Sequence, residues 1–294
     1  MSPAPRPAPR VRRAITRRTA LAAGLAVPLA AMAAHSPTAQ AAPRTSETLK
    51  VLAFNIHAGI GIDGELDLER VARVIEDSEA DIIGLQEVDR HWGSRSDYLD
   101  VAAELAERLE MNHVFGANLD LAPIGDRTER RQYGTAILSR HAIIHPRNHL
   151  LTNIDYPTRP TEQRGLLEAT IIVRGTRINF GTTHLDHQRA EQRDLQVTEI
   201  LEIQGRSTLP TLLTGDLNAE PDAAEIVKLI EGGPYVDAFA DQDAPTFPTE
   251  APTKRIDYVL ARGVDSLVGD DVITTDASDH LPVLTTVTVP TRHA

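Results

Sequence analysis

Apolar positions along the chain follow two rhythms. Leu49–Ile56 (LKVLAFNI) and Asp81–Val88 (DIIGLQEV) are near-continuous apolar runs, the pattern of buried strands. Leu68, Val71, Val74 and Ile75 recur at helical spacing behind Asp67, whose carboxylate suits a helix N-cap. Leu99–Leu109 and Ala190–Ile203 read as helices. Tyr133–Leu138, Ala142–Ile144, Leu166–Val173 and Ile178–Thr183 read as an antiparallel series of strands. Thr211–Leu213 is a short strand that begins just after Pro210, a permitted place for proline. Pro221 and Asp222 are expected to open a further helix, closed by Gly232-Gly233. Arg255–Leu260 and Val283–Val289 are late strands. Residues 133–183 place several strands in succession with no helix between them, which a βαβ repeat does not allow. The prediction is an α+β fold in one domain, an α/β sandwich of two packed sheets, mixed or antiparallel, with helices on the outer faces.

Residues 1–41 follow a different pattern and read as a signal peptide. A basic stretch ends in Thr16-Arg17-Arg18-Thr19-Ala20-Leu21, an Ala/Leu/Gly run follows to Ala34, and Ala39-Gln40-Ala41 supplies a small-x-small cleavage pattern. The apolar run is shorter than the roughly 20 residues a membrane span needs. The paired arginines resemble a twin-arginine export signal, with Ala20 where Phe usually stands. The expectation is a secreted protein without a stable membrane span, whose working domain is residues 42–294, and which acts as a monomer.

Charge narrows the partners. Six of the 30 basic residues and none of the 42 acidic ones fall in residues 1–41, which leaves residues 42–294 with 24 basic against 42 acidic. An acidic body does not bind nucleic acid through general counter-ion release. A local groove built from Arg127, Arg130, Arg131, Arg140, Arg159 and Arg164 stays open as an alternative to scattered surface arginines. The chain has no cysteine, which excludes disulfides, thiolate metal sites and cysteine nucleophiles.

Polar residues gather where the predicted strands end. Asn55 closes the first strand and Gln86-Glu87 the second, Thr183-His184 closes another, Asp216 and Asn218 follow Thr211–Leu213, and Asp279-His280 precedes the last strand. Asp257 lies within Arg255–Leu260. Carboxylates, amides and histidines placed this way suit a metal and phosphate site. Glu87 and Asn55 together offer the oxygens a hard cation wants, although each alone is a common cap or turn residue. Asp216 and Asn218 either share one face of an extended segment or form an Asx turn. His280 can move a proton near neutral pH if a carboxylate fixes its tautomer, and Asp257 is the candidate partner. His184 can donate to a phosphate oxygen or sit as a hydrogen-bonded histidine at the edge of the core.

In this order, FNIH (54–57), LQEVD (85–89), YGTAILSR (133–140), THLDH (183–187), TGDLNAEP (214–221), RIDYVL (255–260) and SDHLP (278–282) resemble the endonuclease/exonuclease/phosphatase superfamily over nearly all of residues 42–294. The resemblance implies a four-layered α/β sandwich and one site assisted by Mg²⁺ or Mn²⁺. It implies that Glu87, Asn55 and Asp279 bind metal. It also implies that Asp257 orients His280, that His280 and Asp216 share the acid–base work with His184 beside them, and that Asn218 and Tyr133 contact substrate. His57 is an additional candidate because it lies two residues beyond Asn55, and Arg164 is a further substrate-binding candidate because a guanidinium suits an anion.

The expected activity is hydrolysis of a phosphodiester by activated water. Aromatics make up only 4% of the chain, so stacking platforms for bases are scarce and a small or lipid-linked phosphate ester is favoured over nucleic acid. An extracellular DNA or RNA endonuclease is the alternative, and a non-catalytic binding or toxin-like module of the same fold is the third. Trp92, the single tryptophan, follows the Glu87 strand together with Arg95 and marks a loop that can touch substrate.

Overall fold

The computed structural model describes residues 46–291, so the export segment expected over residues 1–41 lies outside the described residues. In chain order the elements are β1 (Ser46–Asn55), α1 (Leu68–Ser78), β2 (Ile82–Arg90), α2 (Val101–Arg108), β3 (Asn112–Leu121), β4 (Arg131–Ser139), β5 (Ala142–Leu150), β6 (Gly165–Val173), β7 (Thr176–His184), α3 (Ala190–Gly205), β8 (Thr211–Asp216), α4 (Ala224–Ile230), β9 (Val236–Asp237), β10 (Asp257–Arg262), β11 (Ser266–Val272) and β12 (Val283–Pro290). They build two six-stranded sheets, ordered β11-β12-β1-β2-β4-β3 and β5-β6-β7-β8-β10-β9. β1 pairs parallel with β2 and β7 parallel with β8, while the other ladders are antiparallel.

Strand alternation explains the layering. In β1, Leu49, Val51 and Ala53 face the second sheet, where they meet Phe180, Leu212 and Val259. The intervening Leu52 and Phe54 face outward onto Val71 and Ile75 of α1 and Leu105 of α2. On the far side, Leu213, Leu260 and Tyr258 are covered by Val197 and Ile200 of α3 and Ile226 of α4. The result is the expected four-layered α/β sandwich. Each fully buried Leu, Ile or Phe contributes about 1.5–3 kcal/mol, so the three apolar layers carry most of the stability.

Several boundaries differ from the prediction. Asp67 and Asp100 do cap α1 and α2 through their side chains. α4 starts at Ala224, because Pro221 and Asp222 instead sit in the turn before it. β3, β9 and β11 are additional strands. NHVFGANLDL in β3 lacks clean alternation, and both β3 and β11 carry register shifts in their ladders. Two of the six middle arginines are engaged elsewhere. Arg140 donates to the Ala80 carbonyl at the start of β2, and Arg130 pairs with Asp120.

Candidate active site

The parallel pairs β1/β2 and β7/β8 bring four strand C-termini to one edge of the sandwich. The register sets Asn55 beside Gln86, His184 beside Asp216, and Asp216 beside Asp257 on antiparallel β10. The segment before β12 adds Ser278, Asp279 and His280, tied down by a hydrogen bond from Ser278 Oγ to the Asn55 carbonyl at 2.7 Å. Beneath the site the two sheets approach closely at Gly84, where a Cβ would lie 2.0 Å from Thr214 Oγ1. Gln86 Nε2 crosses the gap and donates to Thr182 Oγ1 at 2.8 Å. A polar floor therefore joins the sheets just where the apolar core ends.

The second sheet supplies Asp216, Asp257 and His184 to a buried proton-handling group, and His280 joins them from the segment before β12. His280 Nδ1 lies 2.9 Å from Asp257 Oδ2, and Thr246 Oγ1 donates to the same oxygen at 2.6 Å. His280 Nε2 faces Asp216 Oδ2 at 3.6 Å, and His184 Nε2 faces that oxygen at 3.4 Å. Phe247 packs on the His280 ring with centroids 4.7 Å apart. Burial pushes the Asp216 carboxyl up to about 7, helped by the charge of Asp257 and opposed by His280. For His280, burial acts to lower the pKa, but the charge and hydrogen bond of Asp257 outweigh it and hold the imidazole up at about 10. Burial, then the nearby charge of Arg164, drives His184 well below the ordinary histidine range.

The first sheet supplies oxygen donors. Glu87 sits at a β-bulge, where Leu85 pairs with Ala136 but Val88 with Gly134. Its φ of 56° is left-handed, a conformation that costs on the order of 1–3 kcal/mol in a non-glycine residue and that persists here because pairing continues on both sides. Asn55 Nδ2 donates to Glu87 Oε1 at 3.2 Å and to Asp216 Oδ2 at 3.0 Å, linking the two halves, while its Oδ1 accepts from the His57 backbone N–H. Ser278 Oγ reaches Asp279 Oδ1 at 3.4 Å. Glu87, Asn55 and Asp279 are therefore joined through Asn55 and Ser278. The Glu87 and Asp279 carboxylates offer oxygens of the kind hard divalent cations prefer. In the orientation seen, the Asn55 amide holds the Glu87 and Asp216 carboxylates, and its oxygen would face a cation only with the amide turned over.

Asp216, Asp257 and His280 also bring one ligand atom each within 4.8 Å of one another. Their contacts are those of a hydrogen-bonded acid–base pair, since His280 Nδ1 and Asp257 Oδ2 already engage each other.

The remaining expectations resolve residue by residue. Asn218 has a φ of 50° and its backbone N–H bonds to Asp216 Oδ1, so the segment is an Asx turn rather than an extended face. Its side chain donates to the Leu185 carbonyl, and it lines a cavity of about 350 Å³ with His187, Phe247, Lys254 and His280. His57 does not continue the strand. β1 ends at Asn55, and His57 enters a 3-10 turn with Nδ1 3.8 Å from Asp279 Oδ1. Tyr133 is buried in the LQEVD-facing part of β4, opposite Asp89, and burial and the charge of Glu87 raise its phenol, which stays a neutral donor. Trp92 lies 5.7 Å from the Tyr133 ring, with Arg131 over Trp92 and Arg95 over Tyr133. The sequence alone assigns no role to Thr246, Phe247 or Ser278. Ser278 was within reach because it stands beside Asp279-His280, whereas nothing local in DAPTFP marks Thr246. Among the described residues no helix is long and apolar enough to cross a membrane.

The profile of the Endonuclease/Exonuclease/phosphatase family matches residues 52–280, which contain every residue named above as a catalytic or metal candidate. No curated protein matches the chain. Solved structures do. An endonuclease/exonuclease/phosphatase from Beutenbergia cavernae is 25% identical with a TM-score of 0.66, covering 83% of this chain and 72% of its own. A mannosyl-6-phosphatase from Bacteroides thetaiotaomicron is 20% identical with a TM-score of 0.63, covering 81% and 99%. The human Nocturnin catalytic domain with bound sulfate is 20% identical with a TM-score of 0.62, covering 84% and 98%.

Proposed function

Because this chain belongs to the endonuclease/exonuclease/phosphatase family, we propose that it is an exported, divalent-metal-dependent phosphodiesterase acting on a small or lipid-linked phosphate ester. One observation carries the reading. A buried Asp257–His280–Asp216 chain meets an open oxygen donor set, and Asn55 bonds to both. Each half alone has a structural explanation, but their union at four strand ends suits hydrolysis.

In this reading Glu87 and Asp279 would hold Mg²⁺ or Mn²⁺, joined by the Asn55 oxygen once its amide is turned over, and the ion when bound would neutralise phosphoryl charge and stabilise the leaving oxygen. Asp257 keeps the His280 ring oriented through Nδ1. His280 and Asp216 act as a unit in which the Asp216 carboxylate receives the proton of the attacking water and the charged His280 imidazole balances charge on the phosphoryl group. His184, driven neutral by burial, and the neutral Tyr133 phenol offer hydrogen bonds to non-bridging oxygens. The cavity beside His280 is sized for a compact leaving group.

A second reading, an extracellular nuclease, has one observation in its favour. The Trp92–Tyr133 pair, flanked by Arg131 and Arg95, is an aromatic and cationic surface of the sort that stacks a base. The test is hydrolysis of bis-(p-nitrophenyl) phosphate beside plasmid DNA, RNA and sphingomyelin, with and without EDTA. The expected result is cleavage of the small diester only with Mg²⁺ or Mn²⁺. A rate untouched by EDTA contradicts the metal reading, and cleavage of DNA or RNA in preference to the small diester selects the nuclease.

A further inference from the structure

The chain leading into β6 carries a buried guanidinium to His187, which lines the cavity beside His280. Arg164 is 3% exposed. Its Nη1 lies 2.8 Å from Glu162 Oε1, its Nη2 lies 3.4 Å from His187 Nδ1, and its Nε is buried with no hydrogen-bond partner. A buried guanidinium is costly without an anion, and Glu162 supplies that anion. Burial, then the charge of Arg164, lowers the imidazoles of His184 and His187, and burial raises the Glu162 carboxyl.

A phosphate drawn to Arg164 therefore meets the Glu162 charge on the same guanidinium. Phosphomonoesters carry close to two negative charges above pH 7, because their second pKa is near 6. Phosphodiesters carry one. Repulsion from a fixed carboxylate scales with the charge of the incoming group, so it weighs about twice as heavily on a monoester.

We propose that Glu162 is a charge-selecting residue that occupies Arg164 and repels dianionic phosphomonoesters, leaving the cleft to monoanionic phosphodiesters. The residue acts through charge and through Arg164, as a specificity determinant, and has no part in proton transfer. This rests on the phosphodiesterase reading above for its biological meaning, but the binding it predicts does not depend on turnover.

The test compares the full-length protein with Glu162→Gln and Glu162→Asp. Equilibrium titration at pH 8 with phenyl phosphate (dianion) and diphenyl phosphate (monoanion) reads binding. Hydrolysis of p-nitrophenyl phosphate and bis-(p-nitrophenyl) phosphate reads turnover. The expected result is that Glu162→Gln shifts the monoester-to-diester affinity ratio about tenfold toward the monoester, with the shift lessened by salt, while Glu162→Asp keeps the original ratio. A ratio unchanged in Glu162→Gln overturns the proposal, because a merely structural role moves both esters together. Failure of the Gln variant to bind either ester also overturns it, since freeing Arg164 must expose an anion site. Charge-selective binding without any diester hydrolysis keeps this inference and sinks the phosphodiesterase reading. Diester hydrolysis with an unchanged ratio does the reverse.

Discussion

Asp279 and His280 are neighbours in the chain and belong to opposite environments. The Asp279 side chain is 44% exposed, beside His57 at 39%. The His280 side chain is 7% exposed and those of its partners Asp216 and Asp257 are 2% and 1%. The first sheet thus ends in open carboxylates that still have oxygen lone pairs to give, and the second ends in carboxylates already committed to imidazoles. Openness suits an exchangeable cation that keeps waters and meets substrate. Enclosure suits proton transfer, because low dielectric strengthens the fixed contacts and holds the ring in one orientation. The same residue types serve two purposes because one set stands at the rim and the other behind it.

Breaking the enclosed half should have the largest effect. His280→Ala and Asp216→Ala are each expected to lower turnover of bis-(p-nitrophenyl) phosphate by at least ~10², the scale for losing an acid–base group. Circular dichroism and thermal melting should show the fold retained, and normal rates in either variant would remove the role assigned here.

Breaking the open half should look different. Glu87→Gln is expected to lose about 10²-fold at low Mg²⁺ and to recover in part as the metal is raised, whereas His280→Ala should not respond to metal at all. Equal insensitivity in both variants would erase the distinction between the halves.

A smaller effect belongs to the hydrogen bond that orients the ring. Thr246→Val removes one donor to Asp257 Oδ2, and a loss of about 3–10-fold in kcat with little change in KM is expected, from the roughly 0.5–1.5 kcal/mol of such a bond. A change confined to KM would place Thr246 in substrate binding instead.

The smallest effect is on stability. His184 is held neutral in the folded protein, while the unfolded chain takes up a proton below the ordinary value near 6.5. The unfolded state then binds more protons, so this residue's contribution is full above pH 6.5 and is lost as the pH falls. In metal-free protein, His184→Gln should flatten the drop in Tm between pH 7 and 5.5 by about 2–4 °C, the equivalent of about 1 kcal/mol in a domain of this size. An unchanged slope would mean that His184 is protonated when folded.

Much of this site was legible in the chain because its residues stand at strand ends in short apolar contexts. Asn55, Glu87, Asp216, Asp257 and His280 were legible that way; the register of β8 and β10 sets Asp216 beside Asp257, Asn55 hydrogen-bonds to Glu87 and Asp216, and His280 reaches Asp257 from the segment before β12. What stayed hidden depends on long-range placement. Thr246 reaches Asp257 from a loop with no periodic pattern, and Glu162 matters only because Arg164 is buried two residues later. Backbone turns were the other blind spot. Positive φ at Glu87, His57 and Asn218 redirects side chains that a simple extended-strand reading aims elsewhere. β3 escaped because Gly116 and Asn118 interrupt its alternation, and neighbouring strands supply the pairing that its own sequence barely advertises.

Metal titration tests the division between the halves most directly. Calorimetric binding of Mn²⁺ to the wild-type protein, Glu87→Gln and Asp257→Asn should give a clear split. Glu87→Gln is expected to lose at least about tenfold in metal affinity while Asp257→Asn binds as the wild type does, with both impaired in turnover. Metal affinity lost in Asp257→Asn and kept in Glu87→Gln would move the cation to the Asp216, Asp257 and His280 cluster and contradict the account.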